Sequence, residues 1–159
     1  MKNIKTIAES AIIAALYVAV TWLLAPISYG AIQFRVSEVL VLLVFYNKKY
    51  FLPLVIGCFV SNITSSLGMY DMIFGTAATL LSLLMIRFCK NIWIAAIFPV
   101  LFNGFIIAFE LSLLEIGEFW FNVVTIAIGE TGVLYILGIP LILMLSKNKA
   151  ISELLEFQK

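Results

Sequence analysis

Three long stretches of this sequence contain no charged residue at all. Ser10 to Phe34 is a run of 25 uncharged residues, Tyr50 to Tyr70 is a run of 21, and Asn91 to Phe109 is a run of 19. A helix needs about 20 residues to cross the hydrocarbon core of a bilayer. The hydrophobic fraction is 64% and the charged fraction 12%, whereas soluble domains are about half apolar and a quarter charged. The sequence therefore predicts an all-α integral membrane protein.

The predicted architecture is a bundle of six transmembrane helices in one domain, residues 1–159. The second helix is short, because residues 36–46 rise only about 16 Å as a helix. The segment before it must therefore enter the protein, or neighbouring helices must shield it, and irregular backbone at membrane depth is tolerated where it lines a cavity. The predicted spans cover residues 4–25, 36–46, 51–67, 72–89, 92–114 and 119–145, and residues 147–159 form a short cytosolic tail. An amphipathic helix and a simple solvated terminus both remain open for this tail.

The distribution of basic residues supports six spans and sets the orientation. Six spans place both termini on one side, and nine of the ten lysine and arginine residues then share that side. The positive-inside rule makes it cytoplasmic. Five or seven spans would scatter these lysines. Arg35 is the exception and is predicted to lie at the outer face.

Several chemical classes are disfavoured by what the sequence lacks. It contains no histidine, the commonest general base and metal ligand. It contains no G-x-x-x-x-G-K-[ST] motif for binding ATP by a P-loop. Cys58 and Cys89 form no CxxC pair and are expected to be free thiols. We predict no catalytic residue, metal or cofactor, and the net charge of +1 gives no indication of a nucleic-acid partner.

Two carboxylates inside the predicted spans need an explanation. Glu110 lies seven residues after Asn103, which places both side chains on one face of the fifth helix. Glu130 lies in the sixth helix between Gly129 and Gly132. A carboxylate in lipid costs about 3 kcal/mol or more unless it faces a cavity or a partner. We interpret the pair as part of a substrate path. The alternative is interhelical hydrogen bonding to asparagine, with Asn62, Asn103 and Asn122 as candidates.

The other acids divide by position. Those near the ends of the predicted spans are expected to be solvated: Glu9, Glu115, Glu118, Glu153 and Glu156. Asp71 and Glu38 lie in the predicted outer half.

The segment "PISYGAIQFRVSE", residues 26–38, gathers polar groups where the first span ends and the short second helix begins. A local ion pair between Arg35 and Glu38, worth about 0.5 kcal/mol when exposed, is the plain interpretation. Together with Gln33 and nearby aromatic rings, however, these groups suit a planar heteroaromatic ligand. A guanine-like edge offers N–H donors to a carboxylate and a carbonyl to an amide.

Aromatic residues occur at the same predicted level. For each one alone, an interfacial belt is the better explanation. They are Tyr29, Phe34, Tyr70, Phe74 and Trp120.

Helix 1 carries a ridge of small residues. Ala11, Ala15 and Ala19 recur at intervals of four, which lets another helix pack closely. Packing within the chain and docking of a partner protein both remain open.

Four segments, in order, resemble the substrate-binding S components of energy-coupling factor (ECF) transporters, and among them the QueT family, proposed to take up queuosine precursors. They are "APISYGAIQFRVSEVL" (25–40), "GMYDMIFG" (68–75), "FNGFIIAFEL" (102–111) and "FWFNVVTIAIGE" (119–130). The resemblance implies a multi-pass protein of the bacterial plasma membrane. It would capture a 7-deazapurine such as preQ1, preQ0 or queuine outside and topple in the membrane to deliver it to the cytosol.

The resemblance also implies partners and a site. The partners are a transmembrane coupling subunit and two cytosolic ATPases, and the ridge of helix 1 would contact the coupling subunit, with Ala11 and Ala15 in the family's usual pattern. Arg35 and Gln33 would cap the ligand. On the chemistry of their side chains, the predicted substrate-binding residues are Gln33, Arg35, Glu38, Asn62, Asp71, Phe74, Asn103, Glu110, Trp120, Asn122 and Glu130.

Two other classes of function are alternatives to this one. An autonomous membrane transporter, working as a homo-oligomer, would use Glu110 and Glu130 as proton or cation sites and would need no ATPase. An intramembrane enzyme is the least favoured, because no nucleophile–base pair stands out without histidine. Which deazapurine is bound remains open.

Overall fold

A computed structural model describes residues 2–28 and 34–156 of the chain. Every regular element in these residues is helical, which confirms the all-α class. The α-helices are α1 (Lys2–Leu23), α2 (Ala25–Ser28), α3 (Leu43–Tyr46), α4 (Phe51–Asn62), α5 (Met69–Ile86), α6 (Ile92–Ala95), α7 (Ile97–Leu113), α8 (Phe119–Thr131), α9 (Ile139–Lys147) and α10 (Lys149–Leu154). A 3-10 helix, Val36–Leu42, precedes α3, and a 3-10 turn, Lys48–Tyr50, follows it.

Four helical segments in the described residues are long and apolar enough to cross a membrane. They cover Thr6–Leu23, Met69–Ile86, Ile92–Leu113 and Phe119–Lys147. The other two predicted spans coincide with shorter helices, so the predicted count of six and the orientation stay predictions. Helix α4 ends at Asn62, before the predicted end at residue 67. The chain turns through residues 63–68, and Gly68 has a φ of 56°, which glycine adopts without strain.

The short helix expected over residues 36–46 is present and lies inside the protein. It begins as the 3-10 helix and continues as α3, and Val41 and Leu42 are fully buried. It packs against α1, α4, α5, α9 and the irregular part of the sixth helical segment. Its neighbours therefore shield a helix that is too short to span a bilayer by itself.

The sixth helical segment changes its winding in the middle. A π-helix, Gly132–Gly138, separates α8 from α9. A Cβ on Gly138 would lie 3.2 Å from Cδ1 of Leu42 and 3.4 Å from the carbonyl oxygen of Val133. Glycine therefore allows the π-helix to approach the 3-10 helix closely.

The long helices pack in chain order, α1 on α4, α4 on α5, α5 on α7 and α7 on α8. Helices α1 and α4 approach closely at Gly57, where a Cβ would lie 3.0 Å from both the carbonyl oxygen of Ala14 and Cβ of Tyr17. Packing within the chain thus uses Ala14 and Tyr17 on helix α1. The alanine ridge, defined by Ala11, Ala15 and Ala19, remains exposed.

Polar contacts tie the two ends of the chain together at the side predicted to be cytoplasmic. Nζ of Lys49 lies 2.8 Å from a carboxylate oxygen of Glu9 and 2.8 Å from one of Glu156. The hydroxyl of Tyr50 donates to the carbonyl oxygen of Leu155 at 3.0 Å. Burial opposes the charge on Lys49, but hydrogen bonds to Glu156 and Glu9 raise its pKa above the ordinary value. Both acids are therefore ion-paired. Glu9 is largely shielded from solvent, so the expectation that it is solvated is wrong, whereas Glu156 is exposed as expected.

Candidate functional site

Buried polar side chains from five helices converge in the other half of the bundle. The 3-10 helix and its first flanking residue, α4, α5, α7 and α8 each contribute, and every one of these side chains is at most 2% exposed. We refer to them as the polar cluster: Arg35, Glu38, Asn62, Asp71, Asn103, Glu110 and Glu130. All seven were predicted as substrate-binding residues, and the structure buries them together.

Arg35 places one positive charge among four carboxylates. It caps the 3-10 helix with φ −82° and ψ 84°, and its side chain is buried rather than exposed in a loop. Its guanidinium interacts electrostatically with the carboxylates of the cluster, which are Glu38, Asp71, Glu110 and Glu130. Its role therefore extends beyond the exposed local ion pair that the spacing to Glu38 suggests.

Glu38 is held by hydroxyl groups from two other helices. The hydroxyl of Tyr17 in α1 donates to Oε1 of Glu38, and that of Thr79 in α5 donates to the same oxygen at 3.4 Å. Sequence reasoning missed both donors. A signal for the first was available, because Tyr17 and Thr21 are four residues apart on one helix face. Thr21 extends this polar face by donating to the hydroxyl of Ser37 at 2.7 Å.

The two intramembrane glutamates differ in their surroundings. Nδ2 of Asn103 donates to Oε1 of Glu130 at 3.1 Å, so the interhelical hydrogen bond considered for this pair exists for Glu130. Neither oxygen of Glu110 accepts a hydrogen bond from a described residue. The Glu110 carboxylate instead interacts electrostatically with that of Asp71.

Asp71 is anchored on one side only. The hydroxyl of Ser65 donates to Oδ2 of Asp71, and Nδ2 of Asn62 donates to the Asp71 main-chain carbonyl at 2.9 Å. Oδ1 of Asp71 has no donor among the described residues.

Seven acceptor oxygens of the polar cluster are buried without a donor from the described residues. They are Oε2 of Glu38, Oδ1 of Asn62, Oδ1 of Asp71, Oδ1 of Asn103, both carboxylate oxygens of Glu110, and Oε2 of Glu130. A buried polar group without a partner costs about 1–3 kcal/mol, and native proteins leave few of them. The cluster therefore keeps acceptor oxygens that no described residue satisfies.

Gly75 leaves room for the side chain of Asn62, and this yields a testable prediction. A Cβ at this position would lie 2.7 Å from Nδ2 of Asn62, which would have to move and lose its bond to Asp71. We expect Gly75→Ala to lower the free energy of unfolding by about 1–3 kcal/mol, measured by thermal unfolding in detergent.

The matched control for this substitution is Gly104→Ala. A Cβ on Gly104 would meet its nearest neighbours at ordinary distances of 3.7 and 3.8 Å. Because alanine favours helices over glycine, Gly104→Ala is expected to be neutral or to stabilise by up to about 1 kcal/mol. Equal melting temperatures for the two variants would contradict this assignment of Gly75.

The remaining predicted site residues lie elsewhere or outside the description. The ring of Phe74 packs edge-on against Phe109 at 6.0 Å between centroids. Trp120 is 62% exposed and contacts the rings of Phe105 and Phe119. Nδ2 of Asn122 donates to the carbonyl oxygen of Ile116 at 2.7 Å, where it holds the turn before α8. Gln33 lies outside the described residues.

Comparison with known proteins assigns the chain to a family. A family model described as "QueT transporter" matches residues 7–147. The chain belongs to the QueT transporter family. "Queuosine precursor transporter QueT" of Lactococcus lactis subsp. cremoris (strain MG1363) is 40% identical to it over 154 residues, which cover 86% of this chain and 90% of that protein. No solved structure matches the chain at a significant level.

Membership of the QueT family confirms the resemblance found in the sequence. The matched region contains every member of the polar cluster and the whole alanine ridge. A transporter family and several long apolar helices together identify the protein as a multi-pass membrane protein.

Proposed function

We propose that this protein is the substrate-binding S component of an ECF-type importer and carries a queuosine precursor across the bacterial plasma membrane. The observation that carries the proposal is the polar cluster, in which seven buried acceptor oxygens have no donor among the residues that the structure describes. Membership of the QueT family and the name of the Lactococcus relative support the choice of substrate.

A 7-deazaguanine ring can supply hydrogen-bond donors to the acceptor oxygens of the polar cluster. Its ring N–H and exocyclic amine are adjacent donors, which one carboxylate accepts as a pair. Its carbonyl oxygen accepts from a guanidinium or an amide. Glu130 is our candidate for the donor edge, because Oε2 is free and Asn103 fixes the other oxygen. Arg35 is our candidate for the carbonyl.

The alanine ridge supports the proposed partnership with a coupling subunit. Ala11, Ala15 and Ala19 form a flat strip on a helix that packs against α4 through other residues. Small residues let a partner helix approach closely in lipid, where packing drives association. The proposed complex contains this chain, the transmembrane coupling subunit and two cytosolic ATPases.

A bulky residue on the alanine ridge is expected to abolish transport without affecting ligand binding. The Ala15→Trp variant should bind the deazapurine with unchanged affinity and lose at least about 90% of transport, because the indole prevents close helix contact. The measurements are ligand titration in detergent, copurification with the coupling subunit, and ATP-driven deazapurine uptake by vesicles that contain the complex. Leu101→Trp is the control, since Leu101, like Ala15, is exposed on a helix but lies outside the ridge. Full transport by Ala15→Trp would contradict the assigned interface.

A second candidate is an autonomous transporter driven by a proton or cation gradient. This candidate is favoured by the composition of the polar cluster, which contains four carboxylates and one guanidinium. Carboxylates that the guanidinium does not balance could bind the coupling proton or cation. Transport by reconstituted vesicles separates the two candidates. With the coupling subunit and ATPases present, we expect deazapurine uptake only when ATP is supplied. Uptake by this chain alone, driven by a proton gradient without ATP, would overturn the S-component proposal.

A further inference from the structure

A group of basic side chains lies at the end of the bundle away from the polar cluster. We refer to it as the basic patch: Arg87 and Lys90, which follow α5, and Lys48, one helical turn before Phe51. The guanidinium carbon of Arg87 lies 6.0 Å from the centre of the Phe51 ring, which brings the two segments together. Asp71 of the polar cluster is 16 residues before Arg87 on the same helix, about 24 Å away. The patch is therefore separate from the candidate substrate site.

The guanidinium of Arg87 has no anionic partner within the described residues. Arg87 is half-buried, and its Nε is shielded from solvent without a hydrogen-bond acceptor from these residues. The carboxylates of Glu9 and Glu156 at this end of the bundle are both bound to Lys49. A guanidinium presents five N–H donors in a planar fork, which fits the oxygens of a phosphate. Arg87 therefore keeps donors that no described residue satisfies.

An exposed apolar strip leads along α5 to this guanidinium. Leu81, Met85 and Phe88 are exposed and follow one another at intervals of four and three residues, which places them on one helix face. We refer to them as the apolar strip. The Phe88 ring is 69% exposed, and its centre lies 5.0 Å from the guanidinium carbon of Arg87. Because α5 is long and apolar enough to cross a membrane and ends at Ile86, Arg87 lies at the level where hydrocarbon gives way to headgroups.

We propose that the basic patch binds an anionic phospholipid, whose phosphate accepts from the guanidinium of Arg87 and whose acyl chain lies along the apolar strip. Basic pockets at the ends of transmembrane helices bind such headgroups. Lys48 and Lys90 add positive charge, which favours a headgroup with a net negative charge over a zwitterionic one that carries its own ammonium. The apolar strip favours a lipid over a soluble anion, because only the lipid covers it. The site is independent of the deazapurine that we propose for the polar cluster.

Native mass spectrometry of the detergent-purified protein measures the affinity of the first bound lipid. Phosphatidylglycerol should bind at least about 10-fold more tightly than phosphatidylcholine with the same acyl chains. Arg87→Gln should weaken phosphatidylglycerol about 10-fold, because the charge-assisted fork is lost, and should weaken phosphatidylcholine much less. Equal affinities of the two lipids for the unaltered protein, or an unchanged preference in Arg87→Gln, would overturn the proposal.

A control variant separates this site from the general positive charge of the surface. Lys147 is an exposed lysine in the last turn of α9, at the same end of the bundle. Lys147→Gln removes one positive charge, as Arg87→Gln does, and should change the affinity for phosphatidylglycerol by less than about 2-fold. An equal loss in the two variants would assign the preference to the surface as a whole and overturn the site. Thermal unfolding in detergent verifies that both variants are folded.

Two further measurements separate the lipid from other occupants of the basic patch. Phosphatidylglycerol, but not inorganic phosphate at the same concentration, should raise the melting temperature of the unaltered protein. Equal protection by phosphate, lost in Arg87→Gln, would assign the patch to a soluble anion and overturn the lipid. Arg87→Gln should also copurify with the coupling subunit as the unaltered protein does. Loss of copurification with unchanged lipid affinity would make the patch a protein contact and overturn the proposal.

Discussion

Glu130→Gln is expected to weaken deazapurine binding about 100-fold while leaving the protein folded. The side chain is 2% exposed, with Oε1 bonded to Asn103 and Oε2 without a donor from the described residues. A carboxylate accepts two parallel N–H groups from a guanine-like edge, whereas a glutamine amide would turn one N–H toward a donor of the ligand. Losing one charge-assisted bond and creating this mismatch costs about 2–3 kcal/mol.

The fold should tolerate Glu130→Gln. Glutamine is close in size, its oxygen can still accept from Asn103, and a buried charge is removed. Glu115→Gln is the control, because Glu115 is an exposed acid in the turn before α8. The measurement is calorimetric titration of both variants in detergent, with thermal unfolding alongside. Unchanged affinity in a folded Glu130→Gln protein would remove this residue from the site.

Arg35→Gln is expected to have the largest effect on stability. It leaves four carboxylates in one buried cluster without a countercharge, and breaking a buried charge pair by removing one partner costs about 3–5 kcal/mol. We therefore expect a large drop in melting temperature in detergent and a low yield of folded protein. Arg35→Lys should lose less, because it keeps the charge but not the planar guanidinium.

The matched control for Arg35→Gln is the same change at Arg87. Arg87 lies at the C-terminal end of α5, half-buried, with its guanidinium 5.0 Å from the ring of Phe88 and 6.0 Å from that of Phe51. Arg87→Gln should lower stability by about 1 kcal/mol or less. Equal melting temperatures for wild type and Arg35→Gln would show that Arg35 does not balance the cluster.

The helical class and most helix positions followed from the sequence, because the absence of charge marks segments that can be buried. The type of helix, 3-10 or π rather than α, could not be predicted from the sequence. The 3-10 helix at Val36–Leu42 and the π-helix at Gly132–Gly138 consist mostly of apolar residues, as the helices next to them do. Hydrophobic periodicity does not distinguish them from α-helix. The early end of α4 at Asn62 depends on contacts between Asn62, Ser65 and Asp71, which are made only in the folded bundle.

The charged members of the polar cluster were predictable for a physical reason. Ionisable side chains within apolar segments are costly, so each one demands a partner or a ligand. Thr79 was not predicted, because a hydroxyl side chain in an apolar helix normally needs no special explanation. Tyr17 was missed although its spacing to Thr21 gave a signal. The links from Lys49 to Glu9 and Glu156 were missed because they join residues far apart in sequence.

Titration of the purified, folded protein with deazapurines tests the central claim most directly. The ligands are aminomethyl-deazaguanine, nitrile-deazaguanine and queuine, with guanine as the reference. We predict tight binding of at least one deazapurine and much weaker binding of guanine, with the affinity lost in Glu130→Gln. Absence of binding for all three, or equal binding of guanine, would contradict the assignment of the polar cluster as a queuosine-precursor site.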